Sequence, residues 1–130
     1  LLNIIFVLFI CLTSVAGAEV NKITEWKNGK EYPLGNALVI IGKNIWLDCK
    51  SSGTDIVKGD SVLDKVSTDS QGNFVTGLPA GTYDVIVWKK GYTPQVDTDI
   101  SIPGYSTGIA YDTSMQGRHR ELTYETKSVT

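Results

Sequence analysis

Between Thr68 and Tyr92 the chain reads TDSQGNFVTGLPAGTYDVIVWKKGY, strand-forming runs separated by tight reversals. Asp69-Ser70-Gln71-Gly72-Asn73 predicts a turn, because Asp and Asn tolerate left-handed backbone angles and Gly72 accepts a positive φ without strain. Phe74-Val75 starts a short strand, and Gly77-Leu78-Pro79-Ala80-Gly81 makes the next connection. Thr82 to Trp88 holds Tyr, Val, Ile, Val and Trp, the residue types that fit a pleated surface, and Lys89-Lys90-Gly91 turns the chain again. Nothing in this stretch is a catalytic device. It specifies a β-sandwich.

The flanking sequence follows the same plan. Asn28-Gly29 is a strong hairpin signal, and Tyr32 to Asn36 is irregular. Ala37 to Ile41 and Ile45 to Cys49 read as strands with Gly42-Lys43-Asn44 as the bend between them. Lys50 to Asp60, rich in Ser, Gly and Asp, reads as loop, and Ser61 to Ser67 as a strand with Val62 and Val66 on one face. Gln95 to Ile102 has the cleanest alternation: Val96, Thr98, Ile100 and Ile102 point one way, Gln95, Asp97, Asp99 and Ser101 the other. Pro103-Gly104 ends it, and Tyr105 to Tyr111 gives a further strand. No helical period follows residue 20. The expected fold is all-β, a single Greek-key-type sandwich of about seven strands preceded by an N-terminal apolar helix or signal segment. The sandwich occupies residues 19–113. Residues 114–130 are a polar tail or the start of a further strand, with weak alternation at Leu122 and Tyr124.

Residues 1–18 carry no charge, and Leu1 to Leu12 is apolar apart from Asn3. Val15-Ala16-Gly17-Ala18 supplies the small residues a signal peptidase requires, so this segment reads as a secretory signal cleaved after Ala18. The stretch has no initiating Met and no basic flank. The alternative is a retained apolar helix, seated in a membrane or in a filament core. Either way the expected location is extracellular, secreted or at the cell surface. The net charge of −2, with both signs interspersed, argues against a nucleic-acid partner. Cys11 lies in the apolar run, where Ile10 occupies the position at which a lipidation box wants a small residue. Cys49 then stands alone, with no internal disulfide partner and no second soft ligand for zinc; it reads as a small buried apolar side chain or as an intermolecular bridge.

Four pieces in order carry a family resemblance: Asn28-Gly29-Lys30 through Pro33-Leu34-Gly35-Asn36-Ala37-Leu38-Val39, then Thr68 to Phe74, then Leu78 to Tyr83, then Lys90-Gly91-Tyr92. From Ile23 to Ala110 the chain resembles the carboxypeptidase regulatory-like, or prealbumin-like (transthyretin-like), β-sandwich modules. The resemblance implies an accessory unit of the kind found in carboxypeptidases, outer-membrane receptors and surface adhesins, and some relatives with starch-binding-like folds bind sugars. The stretch between Ile41 and Ser61 is a long insert relative to a minimal module. Fold alone does not assign a function.

Catalysis needs convergent titratable groups, and the sequence offers few. The only His, His119, sits between Arg118 and Arg120 and reads as solvated. No Ser lies in a G-x-S-x-G frame, and there is no phosphate loop or HExxH helix. Asp97 and Asp99 sit two apart on one expected strand face, a spacing that also keeps a sheet face wet. The loop Asp69–Asn73 lacks the further acidic oxygens of a calcium loop. No enzyme activity, metal or cofactor is expected.

One anomaly remains. By analogy with the family, Tyr83, Val85 and Val87 face the core, as do Ala37, Val39 and Ile41. That leaves Ile86 and Trp88 on the opposite face, and likewise Leu38 and Ile40, where a wet sandwich face should be polar. The insert and the tail cover these residues within the chain, or a subunit or partner does. Leu38, Ile40, Ile86 and Trp88 are thus candidate interaction residues. Trp26, Trp46 and Trp88 are candidates for a sugar-stacking platform. The expected role is structural or adhesive, exercised on a protein partner or by self-assembly through apolar strand faces and edges. The alternatives are a filament or pilus subunit that keeps its apolar helix, and a carbohydrate-binding module.

Overall fold

The computed structural model describes residues 20–112 and 120–127. The expected signal or helix over residues 1–18, Cys11 and His119 lie outside them. All regular structure among the described residues is strand, nine in number where about seven were expected. They are β1 (Asn21–Lys27), β2 (Lys30–Pro33), β3 (Leu38–Cys49), β4 (Thr54–Ser67), β5 (Asn73–Phe74), β6 (Gly81–Trp88), β7 (Gln95–Ile102), β8 (Ser106–Ala110) and β9 (Glu121–Tyr124).

The strands form two sheets. In the four-stranded sheet β1 is central, with antiparallel β2 and β5 along one side and parallel β8 along the other. The β1–β2 connection is the two-residue turn Asn28-Gly29, both at positive φ (54° and 75°), as a hairpin turn matched to strand twist demands. The five-stranded sheet runs β7-β6-β3-β4-β9, with β9 parallel to β4. Ile23 and Ile109 of the first sheet meet Val39, Ile41, Val85 and Val87 of the second in the main core. Each such aliphatic side chain stabilises the fold by about 1.5–3 kcal/mol relative to exposure.

The β3–β4 hairpin departs from expectation. Instead of two short strands and a loop over 50–60, it is one long ribbon whose loop spans only residues 50–53. Its register shifts at Ile41/Gly42, so Val62 and Val66 take opposite faces: Val62 lies in a second core and Val66 packs on the main one. Further out, Asn44 (φ 51°) and Gly59 (φ 125°) are in conformations that L side chains rarely adopt. Beyond that point the ribbon folds back across the outer side of the five-stranded sheet. Ile45 and Val57 thereby join Ile40, Val62 and Ile86 in the second core, with Leu122 and Tyr124 of β9 packed against it.

In β7 the expected alternation fails midway. Tyr83 pairs with Ile100 but Val85 pairs with Asp97, so β7 carries one extra residue there, and Asp99 adopts φ 54°. Ile100 and Ile102 stay on the main-core side, whereas Val96 pairs with Ile86 and is exposed. Asp97 turns inward with Val85, and its Oδ2 accepts the hydroxyl of buried Tyr105.

Candidate functional site

The strongest concentration of charge chemistry lies under the folded-back ribbon. Asp55, at the start of β4, is wholly buried. Its carboxylate accepts Arg120 Nε at 3.1 and 3.2 Å, a further bond from Arg120 Nη2, and the indole Trp88 Nε1 at 2.8 Å. Arg120 Nη2 also donates to the Lys50 carbonyl at 3.1 Å. Burial pushes the Asp55 carboxyl up. The hydrogen bonds from Arg120, Trp88 and Cys49 and the Arg120 charge outweigh that, and the net shift is downward. Cys49 is exposed at the end of β3, not buried as expected; partial desolvation, then Asp55, pushes its thiol up, away from the reactive thiolate. An ionised carboxylate whose two oxygens are engaged by arginine and indole is a clasp between β4, β6 and the entry to β9, and a poor proton acceptor.

Leu38, Ile40, Ile86 and Trp88 do come together. Leu38 pairs with Trp88 and Ile40 with Ile86 across β3 and β6. Ile40 and Ile86 are then sealed by the ribbon and β9 within the same chain, which removes them from any contact surface. Leu38 and Trp88 stay half-buried beside a shallow pocket of about 240 Å³ that also involves Asn36, Lys89 and Lys90.

The three tryptophans do not converge. Trp88 is tied beneath the ribbon, whereas Trp46 alternates with the buried Ile45 and points away from the second core, 53% exposed. Trp26 lies on β1, in the other sheet, 49% exposed. A Cβ added to Gly108 on neighbouring β8 would come 2.7 Å from Trp26 Nε1 and 2.9 Å from Thr24 Oγ1. Gly108 therefore makes room for the indole. The Thr24 hydroxyl in turn donates to Glu31 Oε2 on β2.

Asp97 and Asp99 are separated by the β7 irregularity and do not form a pair. Asp97 accepts Tyr105 and Gln95 Nε2, and the backbone N–H of Asp99 donates to Asp84. The reversal expected at 69–73 is present, with Gly72 but neither Asp69 nor Asn73 at positive φ. Asp69 Oδ1 holds it by accepting the N–H groups of Gln71 (2.9 Å) and Asn73 (3.0 Å). Among the described residues no group of three or more His, Cys, Asp and Glu is placed to hold a metal ion. At one end of the sandwich an apolar pocket of about 250 Å³ is lined by Phe74, Leu78, Ile102 and the exposed Val20 and Val75.

Sequence reasoning missed two features. Asp55 hid in a Ser/Gly/Asp-rich stretch that looked like loop. Gly108 carried a readable signal: a glycine inside a strand marks close approach of another group. Comparison with protein-family models, with curated proteins and with solved structures finds no match to this chain.

Proposed function

We propose that this chain is a non-catalytic, secreted or cell-surface β-sandwich module of the carboxypeptidase regulatory-like kind, with a Greek-key course, whose structural or adhesive role is exercised through a strand edge. The apolar face of the five-stranded sheet is engaged within the chain, which leaves strand edges for backbone pairing with a protein partner. The observation that carries the reading is the contrast between the neighbouring edges. β7 is guarded by Asp97, Asp99 and its irregularity, whereas β8, Ser-Thr-Gly-Ile-Ala, carries no charge, no proline and no register break. Extracellular placement is supported by the composition of residues 1–18.

Lys22 N–H donates to the Tyr105 carbonyl at 2.9 Å. In a parallel ladder alternate residues serve the same neighbour, so Ser106, Gly108 and Ala110 turn their backbone groups outward. The Ala110 carbonyl already accepts the Thr93 N–H at 2.9 Å, which leaves Ser106 and Gly108 for a partner. A second copy or a protein partner adds a strand there by backbone pairing. Sedimentation analysis over a wide concentration range tests this. The wild-type chain is expected to self-associate, and Ser106→Pro, which deletes an outward N–H while leaving the β1 ladder intact, is expected to stay monomeric with an unchanged melting temperature. A wild-type chain that remains monomeric throughout, or a Ser106→Pro chain that associates equally well, rejects the edge.

A further inference from the structure

We propose that the outward face of the four-stranded sheet, centred on Trp26, is a stacking site for a neutral pyranose oligosaccharide. The proposal does not rest on the edge reading, because Trp26 sits on β1, the strand paired on both sides. A side chain on a central strand keeps its position without help from a ligand, which limits the ordering cost of binding.

The seat is built for the indole. Gly108 has no positive φ, so its backbone conformation does not require glycine. The position of the indole does: with Trp26 where it lies, a Cβ at Gly108 would overlap Trp26 Nε1 and Thr24 Oγ1 and stand 3.0 Å from Trp26 Cδ1, so the indole would have to move. A glycine inside a strand weakens it by about 0.5–1 kcal/mol relative to alanine, and here the return is an indole held against the sheet and still half exposed.

The surroundings set the ligand class. Thr24 and Trp26 share the outward face with Glu31, which pairs with Trp26 across β1–β2 and accepts the Thr24 hydroxyl. Lys22 and Ser106, paired across β1–β8, continue the same side. An exposed aromatic plane with a carboxylate paired beside it and polar side chains further along the same face matches a ring that is apolar on its C–H face and hydroxylated at its rim. A protein partner would instead call for a contiguous apolar centre around the aromatic anchor. The Glu31 carboxylate, paired directly with Trp26 whereas Lys22 lies four residues along β1, accepts sugar hydroxyls and disfavours acidic sugars.

The full chain is titrated calorimetrically with cellohexaose, laminarihexaose and chitohexaose to millimolar concentration. At least one is expected to bind saturably. Trp26→Ala and Gly108→Ala are each expected to weaken it about tenfold or more, while Trp46→Ala, equally exposed on the back of the ribbon, leaves it unchanged. Gly108→Ala keeps the tryptophan and only unseats it, so it decides the matter if Trp26→Ala melts. A wild-type chain that binds none of the three saccharides overturns the proposal, as does full affinity in Gly108→Ala or equal loss in Trp46→Ala. Self-association abolished by Ser106→Pro with no saccharide binding would sink this site alone and leave the edge reading standing.

Discussion

Asp84 accepts the backbone N–H of Asp99 through Oδ1 at 3.0 Å and that of Ile45 through Oδ2 at 3.2 Å. Both donors sit where a strand breaks its pairing: Asp99 at the extra residue of β7, Ile45 just beyond the kink of β3. One buried carboxylate therefore satisfies two backbone groups that the ladders leave over, and fixes the point from which the ribbon folds back.

Removing that carboxylate leaves two N–H groups to find other partners. Asp84→Ala is expected to destabilise the fold by about 2–4 kcal/mol. Asp84→Asn keeps the shape and one acceptor and is expected to lose less than half as much. Urea denaturation of the two variants checks the order; equal losses would assign the effect to charge alone.

The inner half of the fold was legible in the sequence because it obeys simple alternation. The family resemblance, which sets which side of β3 and β6 faces the core, implies one common face for Leu38, Ile40, Ile86 and Trp88, and the structure pairs them there. Their covering by the insert and the tail is one of two readings the sequence leaves open, and it is the one the structure shows for Ile40 and Ile86. How the ribbon reaches them was not legible, since it depends on Asn44 and Gly59 taking positive φ, a choice tertiary packing imposes. The same limit explains β7: Val96 to Ile102 alternates perfectly in sequence, yet one extra residue exchanges the faces of Val96 and Asp97 relative to Ile100. Asp55 was invisible for another reason. A buried acid looks like a loop acid until its partner, Arg120, 65 residues away, is placed beside it.

Cutting the clasp from one side is expected to cost more than replacing it whole. Arg120→Met strands a buried carboxylate and is expected to destabilise by about 3–5 kcal/mol, while Asp55→Leu/Arg120→Met recovers much of that loss. The pH dependence has a definite sign. The folded Asp55 pKa lies below its ordinary value of 3.8, so its contribution is fully present above that value and drains away as pH falls through the lowered folded value. Melting temperatures between pH 7 and 2 should show a loss at the acid end that the double variant lacks.

At the alkaline end two buried phenols govern, Tyr105 and Tyr92. Burial, followed by its hydrogen bond to Glu25 and the Glu25 charge, pushes the Tyr92 phenol up to about 12. A raised folded pKa means the stabilisation is complete below the ordinary value of 10.0 and is lost as pH rises through the folded one. Of six tyrosines, Tyr92 and Tyr105, also raised by burial first and Asp97 next, should ionise last in an ultraviolet titration. Tyr92→Phe should flatten the fall in stability above pH 10. A Tyr92 phenol that titrates with no upward shift would show that its burial, and with it the Glu25 contact, does not hold in solution.

Gly59 offers the sharpest test of the folded-back ribbon. At φ 125° a side chain is strained, and its Cβ would overlap the Asn44 carbonyl oxygen on the opposing strand, a backbone atom that cannot swing aside. Gly59→Ala is expected to cost about 3 kcal/mol or more. Because the kink positions Ile45 and Val57 over Ile40 and Ile86, the variant should also expose the second core while the main core survives. Dye binding to newly exposed apolar surface should therefore rise before the near-ultraviolet signal of the main-core tyrosines is lost. Gly77→Ala, where an added Cβ meets nothing within 4 Å, is the matched control and should stay within about 0.5 kcal/mol of wild type. If Gly59→Ala behaves like the control, the ribbon is not kinked there, and the covering of Ile40 and Ile86 must come from elsewhere.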